Sequence, residues 1–293
     1  MPTKLTILIL GASGMLGHSL FTSLSQDQSL TVYGTVRHPK AKKHFSSKLA
    51  KRIIDNIDLT NSQCLSAAIQ KIKPQVVINC AGLIKHTLRS HEVLEAIPIN
   101  TILPHTLAQM TKACDARLIL VSTDCVFSGK KGSYTEADIA DCADLYGQSK
   151  LLGEVSDEKH VLTIRTSIIG HELRGEHSLV SWFLKQKGSA KGYTKAIYSG
   201  LPTIELARII RELILPKPKL SGLYHIASEP ISKFDLLELI AKIYRKKITL
   251  SKSATPKINR SLNCERFQKA TGYRPKSWQR LIEEMHADDL KSR

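Results

Sequence analysis

The stretch that most limits the fold of this chain is residues 5–17. Residues 5–10, Leu-Thr-Ile-Leu-Ile-Leu, run almost unbroken in apolar character into Gly11-Ala12-Ser13-Gly14-Met15-Leu16-Gly17. A run without polar alternation is what a strand buried on both faces requires, and such strands belong to parallel sheets. The three glycines allow a tight turn and a close backbone approach. An amphipathic stretch to about residue 25 predicts a helix, whose first N–H groups and positive dipole end suit a pyrophosphate. Strand, glycine turn and helix in that order are the setting of a dinucleotide site, here spaced GxxGxxG instead of the commoner GxGxxG. Gly11, Ser13, Gly14, Met15, Leu16 and Gly17 are therefore the expected phosphate turn.

The same alternation continues. Strands are expected at residues 30–36, 51–54, 76–79, 117–122 and 161–165, with helical periodicity between them. Thr60 is the expected N-cap of a helix to residue 71, and Pro104 the expected kink in a helix over 98–114. Six apolar strands alternating with helices predict an α/β fold: a Rossmann-like, doubly wound parallel sheet. In such sheets ligands sit at the carboxyl ends of the strands. Arg37 ends the second strand, twenty residues beyond Gly17. An acidic residue there would grip the ribose of NAD; an arginine can pair with the extra phosphate of NADP, with Lys40 to assist. NADP(H) is thus expected over NAD(H). Cys80-Ala81-Gly82 closes the fourth strand with small residues, and Ser122-Thr123-Asp124 closes the fifth.

Tyr146 and Lys150 lie four apart, so a helix would put them on one face. Of the eight tyrosines, only Tyr146 has a lysine at that spacing. A phenol with a pKa of about 10 is a poor acid near neutrality, and a nearby ammonium favours its ionised form. Such a tyrosine can give or take a proton where a carbonyl becomes an alcohol. A helix after the fifth strand brings the pair to the rim that holds Gly11, Arg37, Gly82 and Thr123.

Beyond Thr166 the pattern changes to short strands, helices and Gly/Pro-rich loops. Thr203 is the expected N-cap of a helix to residue 215, and residues 234–244 form another. The expected division is a dinucleotide-binding domain at 1–168, with a return segment around 196–222, and a smaller α/β substrate-binding domain at 169–293. Trp182 and Tyr193 could stack on a base or fill the core.

Composition narrows the function classes. The 293-residue chain is 42% hydrophobic and 24% charged, ordinary for a globular protein. The run at residues 7–10 is far too short to span a bilayer and meets glycines, not a cleavage site. No membrane insertion and a cytoplasmic location are expected. Six cysteines show no metal-ligand or CxxC spacing, so buried or partly buried free thiols and no metal are expected. The net charge of +17 has one acid-free basic stretch between Arg37 and Arg52 and another around Lys185–Lys195. It suits phosphorylated ligands. No zinc-finger or aromatic–basic RNA motif accompanies it, so nucleic acid is not an expected partner.

Together Gly11–Gly17, Asn79-Cys80-Ala81-Gly82, Ser122-Thr123-Asp124 and Tyr146-Gly147-Gln148-Ser149-Lys150 resemble, in order and spacing, the extended short-chain dehydrogenase/reductase family. The resemblance covers nearly the whole chain. The segment around Ser122–Gly129, the run to Glu154 and residues 222–241 look like the branch of the dTDP-4-dehydrorhamnose reductases. This implies Tyr146 as general acid to a sugar C4 oxygen. Lys150 would hold the nicotinamide ribose and lower the Tyr146 pKa, and Thr123 would bond the reacting oxygen beside Asp124. It also implies Asp58 and Leu59 beside the adenine, with Cys80, Ala81 and Gly82 along the cofactor. Asn100 matches a helix asparagine that supports a proton-relay water.

Two departures stand out. Cys125 replaces the glutamate of the related dehydratases, which argues against elimination of water. No proline precedes Tyr146 in Cys142-Ala143-Asp144-Leu145. The implied function is reduction of a nucleotide-linked 4-keto-6-deoxy sugar for surface polysaccharide synthesis, with Arg174, Lys191, Lys195 or Arg260 on the diphosphate. A homodimer is compatible with such a chain. Two other readings stay open: a sugar-nucleotide epimerase that retains NAD, and a non-catalytic Rossmann regulatory subunit.

Overall fold

In the apolar strands, alternate side chains go to opposite faces of one sheet. Ile7 and Ile9 of strand β1 (Leu5–Leu10) enter one core; Leu8 and Leu10 enter the other. All four are fully buried. The same division holds in β4 (Val76–Asn79), where Val76 and Ile78 oppose Val77, and in β5 (Arg117–Thr123), where Ile119 opposes Leu118 and Leu120. Covering both faces removes polar alternation from the sequence. Each large aliphatic chain so buried contributes about 1.5–3 kcal/mol.

This computed structural model describes residues 4–83, 92–173 and 175–292. Its central sheet has seven strands, in the order β3-β2-β1-β4-β5-β6-β7 if numbered along the chain. Besides β1, β4 and β5 these are β2 (Leu30–Thr35), β3 (Ile53–Ile54), β6 (Val161–Thr166) and β7 (Gly222–His225). All neighbours are parallel. The order reverses between β1 and β4, the switch point where ligands of doubly wound sheets lie. The expected Rossmann-like fold is what forms; beside the six strands read up to residue 165 it has a seventh at 222–225, at the end of the return segment expected around 196–222. Gly222–His225 returns from the C-terminal half of the chain to pair with β6.

Helices α1 (Met15–Leu24), α2 (Ser62–Ile72), α3 (Leu103–Ala113) and α4 (Leu145–Leu152) flank the first six strands. Two expected caps shift by a residue. Asn61, not Thr60, caps α2, its side chain accepting from Cys64 N at 3.0 Å, while Thr60 donates to Asp58. Thr203 is the first helical residue after Pro202, not the cap.

The expected bend near Pro104 takes the form of a wide π-type turn, Ile97–Ile102, ahead of α3. Proline has no N–H, so Pro104 cannot return a helical bond to the carbonyl of Asn100 four residues earlier. That carbonyl packs instead against Gly153, where an added Cβ would stand 2.0 Å from the oxygen.

The rest of the chain adds α5 (Leu179–Lys185), α6 (Thr203–Ile209), α7 (Lys233–Ile243), α8 (Glu265–Thr271) and α9 (Trp278–Ser292). Three small sheets accompany them, one of which places Ala196–Tyr198 between Ile231–Ser232 and Ile258–Asn259. This last sheet carries Arg260 toward the end of β5.

Candidate active site

The phosphate turn takes its shape from its glycines. Gly11 adopts φ +76°, and Gly14 N donates to Gly11 O at 3.0 Å. An added Cβ on Gly17 would lie 2.2 Å from Gly11 O, so only glycine lets the first turn of α1 sit this close. Gly14 caps α1 without a side chain, leaving the first helical N–H groups pointing out of the helix end. Leu16 is buried in the core, so only its backbone faces the turn. Ser13 is exposed and Met15 half-buried.

Beside this turn a cleft of about 380 Å³ brings together Gly11, Ser13, Thr35, Arg37, Asp58 and Leu59. Arg37 is exposed along this cleft. Asp58 accepts from Thr60 Oγ1 at 2.7 Å and Thr60 N at 2.9 Å, and this bonding holds its carboxyl below the usual range, with the Arg37 charge adding to it. The Cys80–Gly82 turn closes the inner end. An added Cβ on Gly11 would meet Ala81 Cα at 3.2 Å, so the turns after β1 and β4 touch.

At the end of β5, Thr123 Oγ1 accepts from Cys125 N at 3.1 Å and starts a 3-10 turn, Asp124–Val126. Helix α4, capped by Asp144, lies directly on that turn. An added Cβ on Gly147 would stand 2.4 Å from Cys125 O, so Gly147 is what allows the approach. This brings the Tyr146 phenol close to the Thr123 side chain, whose hydroxyl donates to Asp124 Oδ1 at 3.3 Å. One turn on, Lys150 Nζ donates to Val121 O at 2.8 Å and stands close to Gly82. Asn100 is buried in the π-turn. Its amide donates to Ser149 Oγ and Leu83 O, and Leu83 N donates to its Oδ1. It thereby ties the β4 loop to α4.

The electrostatics correct one expectation. Lys150 does not lower the Tyr146 pKa. Burial pushes the phenol up, and Cys125 and Asp124 add to the rise, while the nearby Thr123 hydroxyl opposes it. The ammonium sits at Val121 O, toward Glu154 and Cys80. Burial brings Lys150 down to about 8, against the pull of Glu154. The Cys80 and Cys125 thiols are each pushed up to about 12, mainly by burial. Burial also raises Asp124, opposed first by Arg260 and then by hydrogen bonds and Lys233.

Of the cations expected on a diphosphate, Arg260 reaches this rim. Its Nε donates to Phe127 O at 2.8 Å and its Nη1 faces Cys125 Sγ at 3.7 Å. Lys191 and Lys195 are exposed on or beside the strand Ser189–Tyr193. Arg174 and the basic stretch 85–91 lie outside the described residues. Trp182 packs against the core. All six cysteines are free thiols, though Cys114 is exposed where burial was expected. Among the described residues no helix is long and apolar enough to cross a membrane. Sequence reasoning passed over Lys233, Glu154 and the close approaches at Gly147 and Gly153. Glycines inside a helical pattern were the available signal.

The model of the RmlD substrate binding domain matches residues 5–290. The chain belongs to this family. A dTDP-4-dehydrorhamnose reductase of Aggregatibacter actinomycetemcomitans is 27% identical over 96% of this chain and 98% of its own length. The methionine adenosyltransferase 2 subunit beta of Mus musculus is 25% identical over 81% of this chain and 72% of its own. The crystal structure of a Bacillus anthracis dTDP-4-dehydrorhamnose reductase in complex with NADP superposes with a TM-score of 0.79. That superposition covers 97% of this chain and 99% of the other at 23% identity, and it shows the shared fold. The resemblance read from the ordered motifs is thus borne out.

Proposed function

We propose that this chain is an NADP-dependent reductase of a nucleotide-linked 4-keto-6-deoxy sugar, serving surface polysaccharide synthesis. The observation that carries this is the approach of the Tyr146 phenol to Thr123, one helical turn from Lys150, at the carboxyl end of β5. Reduction of a ketone needs a hydride, which a bound nicotinamide supplies, and one proton. The two hydroxyls can both donate to one carbonyl oxygen and stabilise the charge that develops there. Tyr146 then gives up its proton to that oxygen, and Thr123 holds the oxygen in place. Lys150 would hold the nicotinamide ribose. Gly11–Gly17 would receive the pyrophosphate, Asp58 and Leu59 would lie along the adenosine, and Arg37 would favour the extra phosphate of NADP. Residues 1–168 and Gly222–His225 would form the dinucleotide half, and most of the remainder the substrate half. Arg260 and Lys233, beside Asp124, would face the anionic substrate. Cys125 supplies no carboxyl where the related dehydratases carry a glutamate, which supports reduction over dehydration.

A second reading has its own support, because a relative is a subunit of a methionine adenosyltransferase. In it the chain would be a non-catalytic partner subunit. One set of assays separates the readings. Purified protein with NADPH and a panel of nucleotide 4-keto sugars should consume NADPH, and Tyr146→Phe should lower turnover at least about 100-fold while still binding NADPH. Stoichiometric NAD retained through purification, with no net turnover, would instead indicate an epimerase. No turnover, together with a stable complex with an adenosyltransferase, would favour the subunit reading.

A further inference from the structure

The loop after β5 closes on the strand Ile258–Asn259. Asn259 N donates to Gly129 O at 2.7 Å, and Arg260 N donates to Ile197 O at 3.3 Å. An added Cβ on Gly129 would stand 2.3 Å from Ile258 Cγ1 and 3.1 Å from Arg260 Cγ, so glycine is what lets the arginine stem lie along this loop. The guanidinium is then fixed at two of its three nitrogens. Nε donates to Phe127 O at 2.8 Å and Nη1 to Cys125 Sγ at 3.7 Å. Among the described residues Nη2 has no partner, and no carboxylate lies within ion-pair distance of this guanidinium. We propose that Cys125 is the positioning residue for Arg260: its neutral thiol sets the direction of the guanidinium and leaves the charge whole for the diphosphate of a nucleotide sugar. The proposal rests on the reading above in which Arg260 faces the substrate.

The other guanidiniums of the chain show the contrast. Arg165 is closed by Glu154, Arg208 by Glu205 and Glu212, and Arg280 by Glu284, at 2.6 to 2.7 Å. Arg117 lacks an acid, but both of its terminal nitrogens end on carbonyls, Ile214 O and Leu220 O. Of these five, only Arg260 is held by neutral acceptors with a terminal nitrogen left over. Asp124, next to Cys125 in the chain, accepts from Thr123 Oγ1 at 3.3 Å and is not paired with Arg260. A carboxylate at position 125 would hold Arg260 more firmly but would neutralise it. A thiol sulfur is a weak acceptor that orients the fork and keeps its charge available to phosphate oxygens. Cys125 is itself tied to the site. Its N donates to Thr123 Oγ1 at 3.1 Å, and Gly147 of α4 sits against its carbonyl. The arginine is thereby set in register with the end of β5 that carries Thr123.

Isothermal titration of the full-length protein with dTDP and with UDP tests this without turnover. Arg260→Met should weaken nucleotide binding by about 10- to 100-fold, the loss of a charge-assisted contact. Cys125→Ala should weaken it by about 3- to 10-fold, because the guanidinium must then be ordered on binding. Cys125→Ser, which keeps an acceptor, should recover most of that loss. In the Arg260→Met background Cys125→Ala should cost nothing further, since no guanidinium is left to aim. An equal cost in both backgrounds, or no recovery with serine, means that the thiol acts by packing and overturns the proposal. So does wild-type protein that binds neither nucleotide. If Cys125→Ala does not fold, Cys125→Val, of similar size and without an acceptor, takes its place in the same cycle. Wild-type protein that shows the coupling but turns over no keto sugar would refute the reductase reading alone.

Discussion

Gly17→Ala is the sharpest test of how the phosphate turn is built. The added methyl carbon would stand 2.2 Å from Gly11 O, 2.8 Å from Gly11 C and 3.1 Å from Ala12 Cα. All three are backbone atoms, so no rotamer change relieves the clash. A carbon–oxygen contact settles near 3.3 Å or beyond, so helix α1 and the turn must part by about 1 Å. Overpacking of this kind costs about 1–3 kcal/mol, against about 1 kcal/mol gained from alanine's helix propensity. The net loss of stability should be about 1–2 kcal/mol, a fall of a few degrees in Tm. The effect on ligand should be larger, because a displacement of about 1 Å in a positioned site is worth on the order of 100-fold. An increase of about 100-fold in the Kd for NADPH, or about 2.7 kcal/mol, is expected by fluorescence titration. Gly14→Ala is the control for packing: its Cβ would touch only Gly11 O, at 3.4 Å, with an ordinary φ of −77°. It should leave Tm unchanged. Wild-type Tm and NADPH affinity in Gly17→Ala would refute the argument.

Arg37→Ala should weaken NADPH binding by roughly 10- to 100-fold, the loss of a charge-assisted phosphate contact, and leave NADH binding unchanged in parallel titrations. His225 is fully buried and titrates at about 4 in the folded chain, against 6.5 when free. Between those values the unfolded chain binds the extra proton, so stability falls as pH drops. The slope should approach about 1.4 kcal/mol per pH unit, on the order of 3 kcal/mol in all, and His225→Gln should flatten it in urea titrations at pH 4 to 7. The kcat/KM of the wild type should fall above about pH 8, as Lys150 loses its proton. A profile flat to pH 10 would remove Lys150 from the role assigned to it.

The sheet was legible because burial on both faces leaves a mark that needs no tertiary knowledge: residues 7–10, 76–78 and 118–121 are apolar throughout. Gly222–His225 is an edge strand, half-exposed at three of its four residues, and its partnership with β6 lies across some sixty residues of chain. The sequence points to a return segment around 196–222, but nothing local says which strand it joins. The caps failed for a related reason. Thr60 stands next to Asn61, an equally good capping residue, and only the geometry of the turn decides between them. In the site, the rim residues could be placed from strand ends alone. Arg260 could not, because the strand Ile258–Asn259 carries it there through a sheet whose members come from three distant segments.

The reversed shift on Tyr146 changes the division of labour within the pair that the i,i+4 spacing suggested. A phenol raised by burial remains protonated throughout the range in which Lys150 loses its charge. It is therefore always loaded as a donor, and the alkoxide formed in a ketone reduction is a far stronger base than phenolate, so the proton still moves downhill. What burial withholds is the reverse: a phenolate base for alcohol oxidation forms less readily. The variable element is the ammonium, which burial brings down to about 8. Under the proposed reduction, proton delivery and charge placement would fall to different residues of one helix, Tyr146 beside Thr123 and Lys150 at Val121 O.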